Sequence, residues 1–504
     1  MNKNLVLAIA LSFLIMVTWS RITQKLYPVD TQDVTTEISQ HQPLSQAAPL
    51  PVVSQQTTAQ DQVTVSAKTN NQELVFNLPS ASLRKVVFTQ MNDHELLLET
   101  GFCLADKNLV FEQQQLGPEQ AIFVHEDAQI KITKRFDYSE PASGITLDIE
   151  IENLSEQPLA FQTDLVLASM DLNSKGLESR FKEIFVKQPD KIVRLSPGKA
   201  TKFAYEGDFF GFRERYFCAI IMPMSFPEKL QIIRSSRTQS QLILSRPTVQ
   251  LPVQQSAHLQ YRIYLGPQQA EPLRAFYNGA EAIIYYGVFD PIAKLLLQIL
   301  YFFSRLFHNW GWAIIALSIF IFFIVFPLSA KQMRSARDMQ ALQPKIEELR
   351  SLYKDNPQRL NKEVLELYRR HKINPLGGCL PLVLQIPIFF SLYQALIRSI
   401  ELKGAHFLWI KDLSEPDRFI ASPEINILPI LMAITMFLQQ KFTMMPGTGS
   451  SGEQQKLMSL LFPILFGFIF YRMPSGLVMY WFVNSLLMFV YQRKMKVTHE
   501  SAKH

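Results

Sequence analysis

The sequence predicts a polytopic α-helical membrane protein with six transmembrane helices and a large aqueous antiparallel β-sandwich. Three observations carry this. Long, nearly uncharged apolar runs crowd the segment after residue 310, far more than an aqueous domain would need. Residues 73–267 alternate apolar and polar positions with period two, broken by turn signals. A charged, amphipathic stretch rich in Lys and Arg separates two of the apolar runs. The 504 residues are 48% hydrophobic and 19% charged, a mixture that fits a chain partly in lipid and partly in water. The net charge of +6 is small for this length, so where the charges lie says more than their sum.

Leu5 to Trp19 is an apolar run behind Lys3. No small-x-small cleavage pattern follows, because the chain continues Trp19-Ser20-Arg21-Ile22-Thr23, so 1–27 reads as an uncleaved signal anchor. Residues 28–72 are rich in Gln, Thr, Ser, Pro and Ala without periodicity and read as a flexible polar linker. The β-domain over 73–267 contains runs such as LVFNL, QIKITKRF, GITLDIEIENL, KIVRL, LQIIRS, SQLILS and HLQYRIYLGP. Turns are marked by Ser196-Pro197-Gly198 and Leu265-Gly266-Pro267. Its length suits one sandwich. Residues 268–310 are aromatic and amphipathic, with Lys294, Arg305 and His308 as polar marks, and read as a helix lying at the membrane interface.

The remaining spans are 311–329, 374–397, 425–443, 457–472 and 476–492. The last two are short for the hydrocarbon core, which implies little tilt or a locally thinned bilayer. The third, NPLGGCLPLVLQIPIFFSLYQAL, holds Pro375, Pro381, Pro387, Gly377-Gly378 and Gln385. Prolines in a span are tolerated where neighbours or cavity water satisfy the freed carbonyls, so this segment is expected to line something hydrated or moving. Residues 330–373 read as a helical hairpin. One stripe is Met333, Ala336, Met339, Leu342, Ile346, Leu349 and Tyr353, the turn is Asp355-Asn356-Pro357, and the second stripe is Leu360, Val364, Leu367 and His371. Its basic residues, among them Lys331, Arg334, Arg337, Arg369 and Arg370, outnumber those of loop 398–424, which has only Lys403, Lys411 and Arg418 beyond Arg398. The excess puts the hairpin, the loop 444–456 and the basic tail 493–504 in the cytoplasm. Counting spans back then places the β-domain outside and both termini inside.

No catalytic, cofactor or metal motif is expected. The three cysteines, Cys103, Cys218 and Cys379, have no metal spacing; whether Cys103 and Cys218 pair or stay as buried thiols is open. Gly447-Thr448-Gly449-Ser450-Ser451-Gly452 matches a dinucleotide fingerprint by chance, since it follows a span rather than a strand. The intramembrane polar residues say more. Ser318, Gln385, Ser391, Gln394, Gln439, Gln440, Asn484 and Ser485 could each be ordinary interhelical glue. On the last span, however, Tyr480, Trp481, Asn484 and Ser485 fall within about 140° of one face at 100° per residue, which reads as the wall of a wet cavity.

Several stretches resemble the YidC-type membrane protein insertases. They are Asn374-Pro375-Leu376-Gly377-Gly378-Cys379-x-Pro381 with Gln385-x-Pro387-Ile388-Phe389, Leu342-Gln343-Pro344-Lys345-Ile346, Pro474-Ser475-Gly476-Leu477-Val478-x-Tyr480, and Phe210-Gly211-Phe212-x5-Phe217 in the β-domain. The resemblance runs in order from anchor to tail, and the β-domain is similar to that of the Gram-negative form. It implies a five-helix insertase core in the bacterial inner membrane, with a periplasmic β-domain. A hydrophilic groove there opens to the cytoplasm and to lipid. It receives nascent hydrophobic segments and releases them laterally, without nucleotide hydrolysis and without being an enzyme.

Partners implied by the resemblance are nascent membrane proteins, the Sec translocon and, through the hairpin and loops, the ribosome; DNA is not among them. Carried over by position, the groove residues are Ser318, Tyr480 and Trp481, and the stripe argument adds Gln385, Asn484 and Ser485. The family's mid-groove arginine corresponds here to Phe322, so attraction of acidic client tails is not expected, whereas lowering the cost of a polar flank is. The rival classes are a transporter or channel, which would want facing intramembrane charges, and a membrane-anchored periplasmic carbohydrate-binding protein, which would leave five spans without a role.

Overall fold

The computed structural model describes residues 63–501 apart from short breaks, the widest at 174–180, 372–379 and 444–449. The anchor expected at 1–27, most of the linker, and Asn374 to Cys379 lie outside the described residues, as do Gly447 to Gly449. The chain divides into two units, 1–285 and 286–504.

The described strands of the first unit form nine-, five-, four- and two-stranded sheets, antiparallel throughout. At the centre of the nine-stranded sheet Gly144–Asn153 lies between Ile130–Asp137 and Ser256–Pro267, with Ile151 opposite Ile132 and Ile149 opposite Leu259. The alternation along Ile130, Ile132, Lys134 and Phe136 turns all four side chains inward. The four-stranded sheet covers that face. Phe76 sits 5.3 Å from Phe123 and 5.1 Å from Phe136 between ring centroids, and Phe88 stacks on Phe217 at 4.3 Å. These interleaved rings make the core of a β-sandwich.

The region read as linker gives way to structure earlier than expected. Thr64–Lys68 pairs with Gln72–Asn77, Ala67 opposite Leu74, because Val63, Thr64 and Val65 supply a β-branched run. Strands such as Leu165–Asp171 and Phe217–Pro223 are buried on both faces along most of their length, so they lack the period-two signature. Cys103 and Cys218 are both free thiols. Burial holds each of them above the ordinary thiol range.

The fully buried Lys134 is satisfied by backbone. Its Nζ donates to the carbonyls of Ala81 at 2.5 Å and Phe102 at 2.7 Å, with the rings of Phe111 and Phe136 each 5.4 Å away. Both carbonyl residues have positive φ, 43° and 60°. One ammonium thus ties together two turns that a side-chain-bearing residue adopts only at a cost. Burial lowers its pKa to about 8.

The second unit is helical. Its described helices are α1 (Asp290–Phe307), α2 (Trp310–Ala341), α3 (Gln343–Leu352), α4 (Pro357–Arg370), α5 (Leu380–Arg398), α6 (Ile427–Thr443), α7 (Ser450–Phe470) and α8 (Ser475–Ser501). His308 in the left-handed region ends α1, and Asn309 starts α2 by accepting from the N–H groups of Gly311 at 2.9 Å and Trp312 at 3.2 Å. By length and composition the stretch Trp310–Lys331 can cross a bilayer; Ile427–Gln440 and Leu460–Phe470 are apolar but shorter.

The stripe from Met333 to Tyr353, expected as one helix, is split. Its first part prolongs α2 without interruption to Ala341, and the remainder is α3. Pro344 accounts for the break, because it lacks the N–H that a continuous helix would need and its ring would meet the carbonyl four residues back. Asn356 caps α4 by accepting from Arg359 N at 3.1 Å, with Pro357 in the first turn.

The core of this unit gathers Leu300 of α1, Leu317 of α2, Ala395 of α5, Met432 of α6 and Val478 of α8. Helix α8 packs along α6 and α2, α1 packs along α2 and α5, and α6 along α7, whereas α5 meets α2 and α8 only loosely. The loop 399–426 fastens one end of the bundle. Asp417 Oδ2 accepts from the N–H groups of Ile427 at 2.9 Å and Leu428 at 3.0 Å, capping α6. Ser475 N donates to Glu415 O at 2.8 Å and Gly476 N to Leu413 O at 2.9 Å, holding the start of α8. Asn309 Nδ2 reaches His406 O at 3.3 Å, at the start of α2. Here Gly311 is needed for space: a Cβ on it would lie 2.0 Å from the ring of Phe407.

Candidate functional site

The polar stripe of α8 is divided between two surroundings. Tyr480 is fully buried, and its hydroxyl accepts from Gln385 Nε2 of α5 at 2.8 Å. Asn484, one turn further on and half-buried, places its side chain beside that hydroxyl. Two turns beyond Asn484 on the same side, the ring of Tyr491 meets Phe326 of α2 at 4.7 Å. The strip 480–484–491 thus faces α5 and α2, the pair of neighbours across which α5 packs loosely.

Trp481 lies on the adjoining strip and enters an aromatic nest. Its ring is 5.2 Å from Phe389, 5.7 Å from Phe466 and 5.5 Å from Phe470. Ser485, four residues after Trp481, is buried. The four residues therefore meet two surroundings: Tyr480 and Asn484 lie beside Gln385, and Trp481 is packed by apolar rings. The nest on α7 is marked in the sequence by the i, i+4 spacing of Phe462, Phe466 and Phe470.

On α2, Ser318 is fully buried and its hydroxyl donates to Ile314 O of its own helix at 2.7 Å. Phe322 is buried, with Phe326 5.6 Å away and Phe323 5.9 Å away. Among the described residues, neither hydrogen-bonds the Gln385–Tyr480–Asn484 group or stacks a ring on it. Elsewhere in the unit the amide oxygens of Gln394, Gln440 and Gln492 are buried without a donor, positions that water or a polar group passing between helices would satisfy. Prolines lie inside three of the helices, Pro327 in α2, Pro387 in α5 and Pro463 in α7, and each frees a carbonyl. Pro387 frees the carbonyl of Val383, two residues before Gln385 on α5.

Such a group can offer hydrogen-bond donors and acceptors to a polar segment held among apolar helices, which lowers the cost of drawing that segment out of water. Many of the unit's exposed side chains are large and apolar. Phe302 and Leu306 of α1, Phe323 and Ile324 of α2, Ile434 of α6, and Ile464 and Phe468 of α7 are all exposed. In water, so many exposed large apolar side chains are uncommon.

The chain matches two family descriptions, "YidC periplasmic domain" over residues 54–299 and "60Kd inner membrane protein" over residues 302–502. A membrane protein insertase YidC of Pelobacter propionicus is 36% identical over 383 residues, covering 73% of this chain and 70% of the relative. One of Geotalea uraniireducens is 30% identical over 531 aligned positions, covering 97% of each. Among solved structures, an active YidC insertase crystal structure with its first transmembrane domain resolved aligns over 85% of this chain and 92% of that one, at 18% identity and a TM-score of 0.40. With a β-rich domain followed by a helical core, and with relatives of this identity and coverage, the chain belongs to the YidC family of membrane protein insertases.

Proposed function

We propose that this protein takes nascent hydrophobic segments between α2, α5 and α8 and releases them sideways into the bacterial inner membrane, alone or beside the Sec translocon. The observation that carries the reading is the Gln385–Tyr480–Asn484 group, a polar cluster set among apolar helices where α5 packs loosely. A client's polar flank exchanges water for these groups while its hydrophobic stretch slides past. Gln385, Tyr480, Asn484 and Ser485 form the polar side of the path, Phe322 and Trp481 its apolar borders, and Ser318 closes its buried end. Nothing is hydrolysed; the client's burial in lipid drives the transfer.

In this reading the bundle crosses the membrane five times, an N-terminal anchor makes the sixth span, both termini are cytoplasmic and the β-domain is periplasmic. The loop 399–426 then seals the periplasmic end. The hairpin of α3 and α4 meets ribosome and client in the cytoplasm, with basic residues such as Arg359, Arg369 and Arg370 exposed on it.

The test is insertion of a small phage-coat-like client into vesicles reconstituted with purified protein. Gln385→Leu combined with Asn484→Leu should abolish protease protection of the client while the protein still unfolds cooperatively in detergent, its melting temperature lowered only by the loss of Tyr480's two partners. Full insertion by the double variant would refute the proposed path.

A further inference from the structure

Two apolar tips project from the loop 399–426. At the first, Phe407 and Ile410 exchange both backbone hydrogen bonds, 2.9 and 2.8 Å, around a two-residue turn of Leu408 and Trp409. Leu408 occupies the left-handed region at φ 52° and is 74% exposed. A turn in water would place Gly or Asn at such a position, for both backbone and solvation reasons. A strained backbone presenting a large bare aliphatic side chain makes sense only if that side chain leaves water.

The second tip repeats the pattern. Phe419 and Ile420 are 51% and 42% exposed and follow Arg418 at φ 38°. The two tips join, because the rings of Trp409 and Phe419 lie 6.3 Å apart at a steep angle. Trp409 keeps its polar end inward, its Nε1 donating to the Asp417 carboxylate at 3.3 Å, so its ring is free to face an apolar medium. The patch is also continuous with a helix able to cross a bilayer. Trp312, exposed in the first turn of α2, packs edge-on against Phe407 at 5.4 Å, so the tips sit level with the end of that helix. Indole rings collect at that level of a membrane protein. Lys411 is exposed beside the tips, as a headgroup layer would favour, and Arg418, also exposed, is paired with Glu424 at 3.1 Å and Glu415 at 3.7 Å.

We infer that Leu408–Trp409 and Phe419–Ile420 form a membrane wedge, inserted into the headgroup–acyl boundary of the leaflet at the loop end of the bundle. Its partner is the lipid surface itself. Anchored there, the loop holds the starts of α2, α6 and α8 against the bilayer while a client passes between helices. The inference rests on the membrane placement given under Proposed function.

The test uses the full-length protein in vesicles of phosphatidylethanolamine and phosphatidylglycerol. Trp409's emission is taken as the difference between the parent and Trp409→Phe. Replacing the lipid with its analogue brominated high on the acyl chain should quench that emission at least about twofold, whereas iodide on both sides of the membrane should leave it nearly unchanged. In a second variant, Leu408→Asn, the new residue suits the turn's backbone, so the protein should fold as well as the parent and yet lose much of the bromolipid quenching. Iodide quenching without bromolipid quenching would overturn the wedge and leave the tips as a water-facing surface for a protein partner. Emission from the remaining tryptophans separates the two claims. If they are quenched by bromolipid while Trp409 is not, the bundle is in the membrane and the wedge alone is wrong.

Discussion

The side-chain amide of Gln385 donates to the hydroxyl of the fully buried Tyr480 at 2.8 Å, and this bond joins α5 to α8 where their packing is otherwise sparse. Its strength is open to a double-mutant cycle. Gln385→Leu and Tyr480→Phe should each lower stability in detergent by about 1 kcal/mol, with a coupling between them of about 0.5–1 kcal/mol. Asn484 remains as a partner for Tyr480 when Gln385 is lost, which keeps the single effect modest. Chemical denaturation of the four proteins gives the cycle, and a coupling near zero would mean that the two residues touch without holding the helices.

Ser318 and Asn484 should behave differently. The Ser318 hydroxyl is spent on Ile314 O within a fully buried turn, so Ser318→Ala should leave vesicle insertion unchanged and shift stability by less than about 1 kcal/mol. Asn484→Leu should slow insertion by about five- to thirtyfold, because the client's polar flank loses a partner worth about 1–2 kcal/mol. Initial rates of client protection compare the two variants directly.

Gly311 is a packing requirement at the loop end of the bundle. Its substituent would meet the Phe407 ring 2.0 Å away, so Gly311→Ala should cost about 1–3 kcal/mol and displace the turn that carries Leu408 and Trp409. Adding Phe407→Leu should recover part of the loss by emptying the space. Thermal unfolding of the single and double variants, read alongside Trp409 emission, checks both halves of the prediction.

Lys134 gives the β-domain a pH dependence of definite sign. Its pKa is about 8 when folded and has the ordinary value of 10.5 when unfolded. Between these values the unfolded chain binds more protons, so stability rises as pH rises from about 8 to about 10.5; below pH 8 the full cost of burying the charge is present. The gain is at most about 3 kcal/mol. Lys134→Met should flatten this segment of the stability profile. It should also destabilise the domain by about 1–3 kcal/mol at high pH, since the carbonyls of Ala81 and Phe102 lose a donor. Thermal melts of the full-length parent and variant at several pH values, followed by β-sheet circular dichroism, make the comparison.

Much of this architecture is visible in the residues, and the parts that are not have physical causes. Ile130, Ile132 and Phe136 announce an inward-facing strand, and period two puts Lys134 on their face, but nothing local says what satisfies a buried ammonium there, because its acceptors come from Ala81 and Phe102, far away in the chain. Leu165–Asp171 is buried from both sides and so has no period to read. The break at Leu342 was marked by Pro344, yet a continuous apolar stripe across it argued for one helix. On α8 the spacing puts Tyr480, Trp481, Asn484 and Ser485 on neighbouring strips, and helical period alone cannot say which strip meets Gln385 and which meets Phe466 and Phe470. That division is decided by how α5 and α7 pack, which is tertiary information.

The central claim is that the client passes along the strip of Asn484, and it is most directly tested by site-specific photocrosslinking to a ribosome-stalled nascent chain. A photoreactive amino acid at Asn484 should capture the client. The same probe at Phe468, 81% exposed on the outer face of α7, should capture lipid alone. Lipid adducts at both positions, with client adducts at neither, would contradict the account and return the Gln385–Tyr480–Asn484 group to the role of ordinary helix packing.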